Sequence, residues 1–133
     1  MEEIINPEGG GNGMMMKQFA LAAYFSAKTY APELEEKTVR DISKVSHAHP
    51  ASLVAAITHH KFLKILLQSD PQHFNKKEIL QKLKVIAEKE ENNYPYREGK
   101  KISEILTQIS SYISEDNKFS LDDKQILDHF GWK

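Results

Sequence analysis

Met14-Met15-Met16-Lys17-Gln18-Phe19-Ala20-Leu21-Ala22-Ala23-Tyr24-Phe25 is apolar on nearly every side of a helix, and its reading decides the fold class. As far as Ala31 the polar positions are few: Lys17, Gln18, Ser26, Lys28 and Thr29. A helix without a polar face belongs among neighbours, so the pattern predicts an enclosed, central helix over residues 14–31. Before it, Glu8-Gly9-Gly10-Gly11-Asn12-Gly13 is flexible backbone and reads as a loop feeding the helix.

Helical signals continue downstream. Pro32 suits a first turn, and Leu34, Thr38, Ile42 and Val45 give the second helix one face as far as Ser46. His47-Ala48-His49 interrupts it. Pro50 restarts the pattern, and Leu53, Ala56, Ile57, His60, Leu63 and Leu67 form a continuous stripe ending near Gln68. Ser69-Asp70-Pro71 reads as a turn. Asn75 with Glu78 resembles a capping box and Phe74 with Ile79 a hydrophobic staple, so a fourth helix starts at Lys76, supported by Leu80, Leu83, Ile86 and Ala87. Asn92-Asn93-Tyr94-Pro95-Tyr96 breaks it. Ile102, Ile105, Leu106, Ile109, Tyr112 and Ile113 then mark the most regular amphipathic helix. Ser120 and Asp123 are read as capping a last short helix carrying Ile126, Leu127 and Phe130, with Gly131 at its left-handed end. No stretch alternates as a strand does and no repeat is evident. The expected fold is therefore all-α: one domain over residues 1–133, with a glycine-rich leader at 1–13 and a compact orthogonal bundle of about six helices at 14–133.

Composition narrows the function. At 133 residues the chain has the size of one domain, and a net charge of −1 with 28% charged residues leaves no large field of either sign, which argues against nucleic acid as a partner. The absence of cysteine excludes disulfides, thiolate zinc sites and a cysteine nucleophile, and fits a cytoplasmic location. No apolar run approaches the roughly 20 residues of a membrane span, so no membrane association is expected.

Three features have the chemistry of a site. The glycine loop would aim backbone N–H groups and the positive end of a helix dipole at a phosphate or ribose, although such loops are also ordinary flexible leaders. His47 and His49, one residue apart, would point the same way from extended backbone; yet an ion needs further ligands, and His59 and His60 diverge by about 100° on a helix. No metal site is expected there, and His60, on the apolar stripe, reads as a core or interface histidine. Asp122 and Asp123 stand in the first turn of a helix, where carboxylates meet the dipole, and read as a cap.

Gly11-Asn12-Gly13 followed by Met16-Lys17, then Ser46-His47-Ala48-His49-Pro50 about thirty residues later, resembles the ADP-ribosylglycohydrolase family in order and spacing. That family has a Gly-Asn-Gly loop followed by Met-Arg, and later a Thr-His or Ser-His loop opening another helix. The tail from Ile126 to Lys133 is similar to the family's approach to its last catalytic helix. The resemblance implies the middle of an all-α enzyme that hydrolyses ADP-ribosyl linkages with a magnesium pair held between two acidic motifs. Neither motif occurs here: Met1 follows the place of the first, Lys133 precedes the second, and Asp122-Asp123 follows Leu121 where a threonine would be required. Carried across, Gly11, Asn12 and Gly13 match the loop against ribose and diphosphate, and His47 the histidine lining that pocket. Lys17 stands where arginine is usual, Met14 and Met15 where smaller residues are common, and Phe19-Ala20 lacks a proline often present.

The expectation is a truncated ADP-ribosylglycohydrolase-like protein, inactive alone, with substrate-binding residues Gly11, Asn12, Gly13 and His47, no catalytic or metal-binding residues, and no cofactor of its own although the family uses magnesium. Its expected partners are an ADP-ribose-like ligand and either a second copy of the chain or complementary segments. The alternative is a non-catalytic helical module that binds a ligand or another protein, which large exposed apolar faces would mark.

Overall fold

The computed structural model describes residues 13–130, apart from the side chains of Leu127, His129 and Phe130. Within them the chain is all-helical, with α1 Gly13–Ala27, α2 Pro32–Ser46, α3 Pro50–Gln68, α4 Lys76–Asn93, α5 Ile102–Ser111 and α6 Asp123–Phe130. One antiparallel β-bridge, Ile113 with Phe119, closes the turn after α5. No described helix is long and apolar enough to cross a membrane.

α3 is the axis of the bundle. Its Leu53, Val54, Ala56, Ile57 and His60 are buried, and α1, α2 and α4 all pack on it. α1 runs alongside α3 in the same direction, its start facing His47 and its Phe25 ring standing edge-on to the His60 ring at 6.3 Å. α2 returns antiparallel, with Glu35 beside His60 at one end and Ser46 beside Met14 at the other. α4 and α5 form an antiparallel hairpin that completes the molecule.

Local signals explain the boundaries. Pro32 and Pro50 each occupy the first turn of their helix, where a missing N–H costs nothing. Asn75 Oδ1 accepts from the Glu78 backbone N–H at 3.1 Å, so α4 starts where its capping box predicts. α6 is capped differently from the sequence reading: Asp122 Oδ1 accepts from Gln125 N at 2.8 Å and Gln125 Oε1 accepts from Asp122 N at 3.0 Å. Ser120 is no part of that cap, because its N–H and hydroxyl both donate to the Tyr112 carbonyl at 2.7 Å. Gly131, the expected end residue, lies outside the described residues.

Two expectations about helix faces need correction. α1 is not enclosed: it ends at Ala27 and buries Met14, Gln18, Ala22 and Phe25, while Met16, Phe19 and Tyr24 are 78%, 59% and 59% exposed. Its two sides are both apolar, and α3 with α2 occupies only one of them. α2 is turned the other way from its apolar stripe. Glu35, Val39 and Ser43 face inward, and Leu34, Ile42 and Val45 are exposed. This rotation buries Val39 and brings Glu35 to His60 and Lys64 and Arg40 to Glu90.

Candidate functional site

The end of α2 and the start of α1 meet at a loop whose geometry is set residue by residue. His47 terminates α2, its backbone N–H donating to the Ser43 carbonyl at 2.8 Å. Its Nδ1 lies 2.8 Å from the Ser46 hydroxyl, which also approaches the buried Met14 sulfur at 3.9 Å. That pairing presents the other edge of the ring to α1. A Cβ at Gly13 would stand 3.2 Å from His47 Nε2 and 3.3 Å from Cε1, tighter than an ordinary contact, so the imidazole rests against bare backbone at the mouth of the helix.

Of the residues singled out by sequence, Gly13 and His47 are therefore neighbours. Gly11 and Asn12 lie outside the described residues. His49 is separate from His47 in role: it precedes Pro50 as the α3 N-cap, its Nδ1 accepting from Ala51 N at 3.3 Å. The parallel projection expected from extended backbone does not arise, because one ring is held by Ser46 and the other folds back on its own helix. Among the described residues no group of three or more His, Asp or Glu side chains is placed to hold a metal ion. Lys17, one turn into α1, is exposed.

A second constellation, missed at the sequence level, lies twelve residues along α1, about 18 Å away by helical rise. Glu35 is 5% exposed and His60 1%. Glu35 accepts from His60 Nε2 at 2.8 Å and from Lys64 Nζ at 2.7 Å, which fixes His60 as the tautomer protonated on Nε2 while it is neutral. Among the described residues its buried Nδ1 has no hydrogen-bond partner. Burial pushes the imidazole below its ordinary pKa, opposed in part by Glu35. Burial alone would raise the Glu35 carboxyl, but the hydrogen bonds from Lys64 and His60 outweigh it and hold the group ionised below its usual range. Glu35 and Lys64 also border an open cleft of about 300 Å3 with Ser26, Tyr30 and Gln68. His60 was recognisable from its place on the α3 stripe. Glu35 was not, because it sits among other acids at the start of α2, where carboxylates are ordinary dipole partners.

The Gly13–His47 contact can offer a ligand backbone N–H groups, the positive end of α1 and an imidazole edge, which suits an anionic or hydroxyl-rich group. In the Glu35 network both carboxylate oxygens are already engaged, and the contacts tie α2 to α3. Comparison of the chain with family models, with curated proteins and with solved structures finds no match.

Proposed function

We propose that the chain binds an ADP-ribose-like ligand at the mouth of α1, as a non-catalytic relative of the ADP-ribosylglycohydrolase type. The observation that carries the reading is the imidazole of His47 lying against Gly13, so close that a Cβ there would require the ring to give by a few tenths of an ångström. That closeness joins two motifs separated by thirty-odd residues in the chain, the pair on which the family resemblance rests. The N–H groups of the first α1 turn would meet the diphosphate, the His47 ring the ribose or a phosphate oxygen, and exposed Lys17 would add charge. Lysine supplies that charge without the two-pronged contact of an arginine.

Hydrolysis is not part of the proposal. In the family it depends on magnesium held by two acidic motifs, and Asp122, half of this chain's adjacent aspartate pair, is engaged as the cap of α6. The alternative reading, a protein-interaction module, is favoured by the outward apolar side of α1 at Met16, Phe19 and Tyr24.

Calorimetric titration with ADP-ribose separates the two. Saturable heat is expected, weakened about tenfold or more in His47→Ala and in Gly13→Ala, whose Cβ displaces the ring. No heat with ADP-ribose, or heat unchanged in both variants, contradicts the binding reading.

A further inference from the structure

Of the ten large apolar side chains left exposed among the described residues, six stand on α1 and α2: Met16, Phe19, Tyr24, Leu34, Ile42 and Val45. The two helices lie antiparallel and pack on each other, and their exposed apolar sides meet. Arg40, which reaches Glu90 of α4, stands about 120–160° around α2 from Leu34, Thr38, Ile42 and Val45, so that stripe turns away from α4. Tyr24 stacks on Tyr30, just ahead of α2, with ring centroids 5.3 Å apart, and joins the stripe to the outer side of α1. Small residues lie between the large ones there. Ala20 and Ala27 are exposed and would let another backbone come close.

We propose that a second copy of the chain covers this face, forming a two-fold dimer built on α1 and α2. Area is the first argument. The six side chains expose on the order of 700 Å2 together, above the largest apolar patch of an ordinary monomer and close to what one partner contributes to a stable interface. Charge is the second. Lys17 is the only charged side chain of α1, so the face meets its own copy with little like-charge repulsion, and a net charge of −1 leaves whole molecules free to approach. Polar groups along the α2 stripe are already engaged within the helix: the Thr38 hydroxyl donates to the Leu34 carbonyl at 2.7 Å, and Lys37 pairs with Asp41. Covering the stripe therefore costs little desolvation. A face with so little charge has nothing to select a charged partner and is complementary to itself, which is the requirement of an isologous two-fold contact. Gly13 and His47 are not among these side chains, so the outcome is read separately from that of the ligand titration.

Sedimentation velocity of the full chain, from low micromolar to a few hundred micromolar, tests this. The expected result is a mass that doubles with concentration and then stops. Phe19→Lys on α1 and Ile42→Lys on α2 should each weaken the dimer at least tenfold, whereas Val85→Lys, on the exposed side of α4, should leave it unchanged. All three positions are exposed, at 59%, 41% and 57%, so the fold should survive, and circular dichroism with an unchanged thermal midpoint for the monomer checks that it does. A chain that stays monomeric throughout overturns the proposal, whether another segment of the chain or a different partner then covers the face. A dimer that withstands both α1 and α2 variants overturns it too, because the contact would lie elsewhere. Mass that keeps growing beyond two copies does the same, since a closed two-fold contact stops there.

Discussion

Glu35 gives up most of its hydration to accept hydrogen bonds from His60 and Lys64, an arrangement that is stable only while all three partners are present. Glu35→Ala is expected to cost about 2–3 kcal/mol, measured by denaturant unfolding, because His60 is left buried without its acceptor. The pH dependence has a definite sign. His60 has a lowered pKa in the folded chain, so the unfolded chain takes up a proton first, near pH of about 6.5. Stability is thus full above that pH and is lost as pH falls from there toward the folded pKa. Glu35, also lowered, adds a further loss in the carboxylate range below. Thermal unfolding should show a lower midpoint at about pH 5 than at about pH 7.5, and His60→Gln should flatten the slope between them. An unchanged slope in that variant would assign the acid sensitivity elsewhere. His60 was legible in the sequence because a helical stripe specifies which residues face inward. Its partner was not, because a stripe says nothing about which polar group arrives from another helix.

At the scale of elements, boundaries were the most readable feature. Pro32, Pro50 and the Asn75–Glu78 pair act through their immediate neighbours, and each starts a helix where expected. Faces were less readable. The apolar stripe of α2 points outward, and in the rotation it adopts Val39 packs inward while part-buried ion pairs reach α3 and α4, including Arg40 to Glu90 at 2.7 Å. α5 was the most regular amphipathic pattern in the chain, yet its cap comes from outside the helix, with the Tyr96 hydroxyl accepting from the Ile102 N–H at 3.0 Å. Lys101 precedes it without a side-chain cap, and Glu91 of α4 serves instead, accepting from the Ser103 N–H at 2.9 Å and the Ser103 hydroxyl at 2.7 Å. Glu91→Ala is expected to lower stability by about 1–2 kcal/mol and to raise hydrogen exchange in the first turn of α5 before any other helix. A loss spread evenly over all helices would contradict a capping role.

For the whole molecule, the all-helical class followed from periodicity alone, whereas the position of α1 did not. A helix apolar on both sides was expected at the centre, and it lies at the edge with Met16, Phe19 and Tyr24 outward. Hydrophobic pattern records that two sides can be buried, not that this chain buries both. The candidate site was legible in part for the same kind of reason. Gly13 and His47 were chosen from motif spacing, and the antiparallel return of α2 places them in contact, while Gly11 and Asn12 lie outside the described residues. The proposed ligand site and the Glu35 network stand at opposite ends of α1, so their failures can be told apart. The most direct test of the binding account is an NMR titration of the intact chain with ADP-ribose, following the Gly13 amide and the His47 ring protons. The account predicts that both shift together along one saturation curve, with the signals of His60 unmoved. Shifts absent at Gly13 and His47 at millimolar ligand, or confined to other residues, would contradict it.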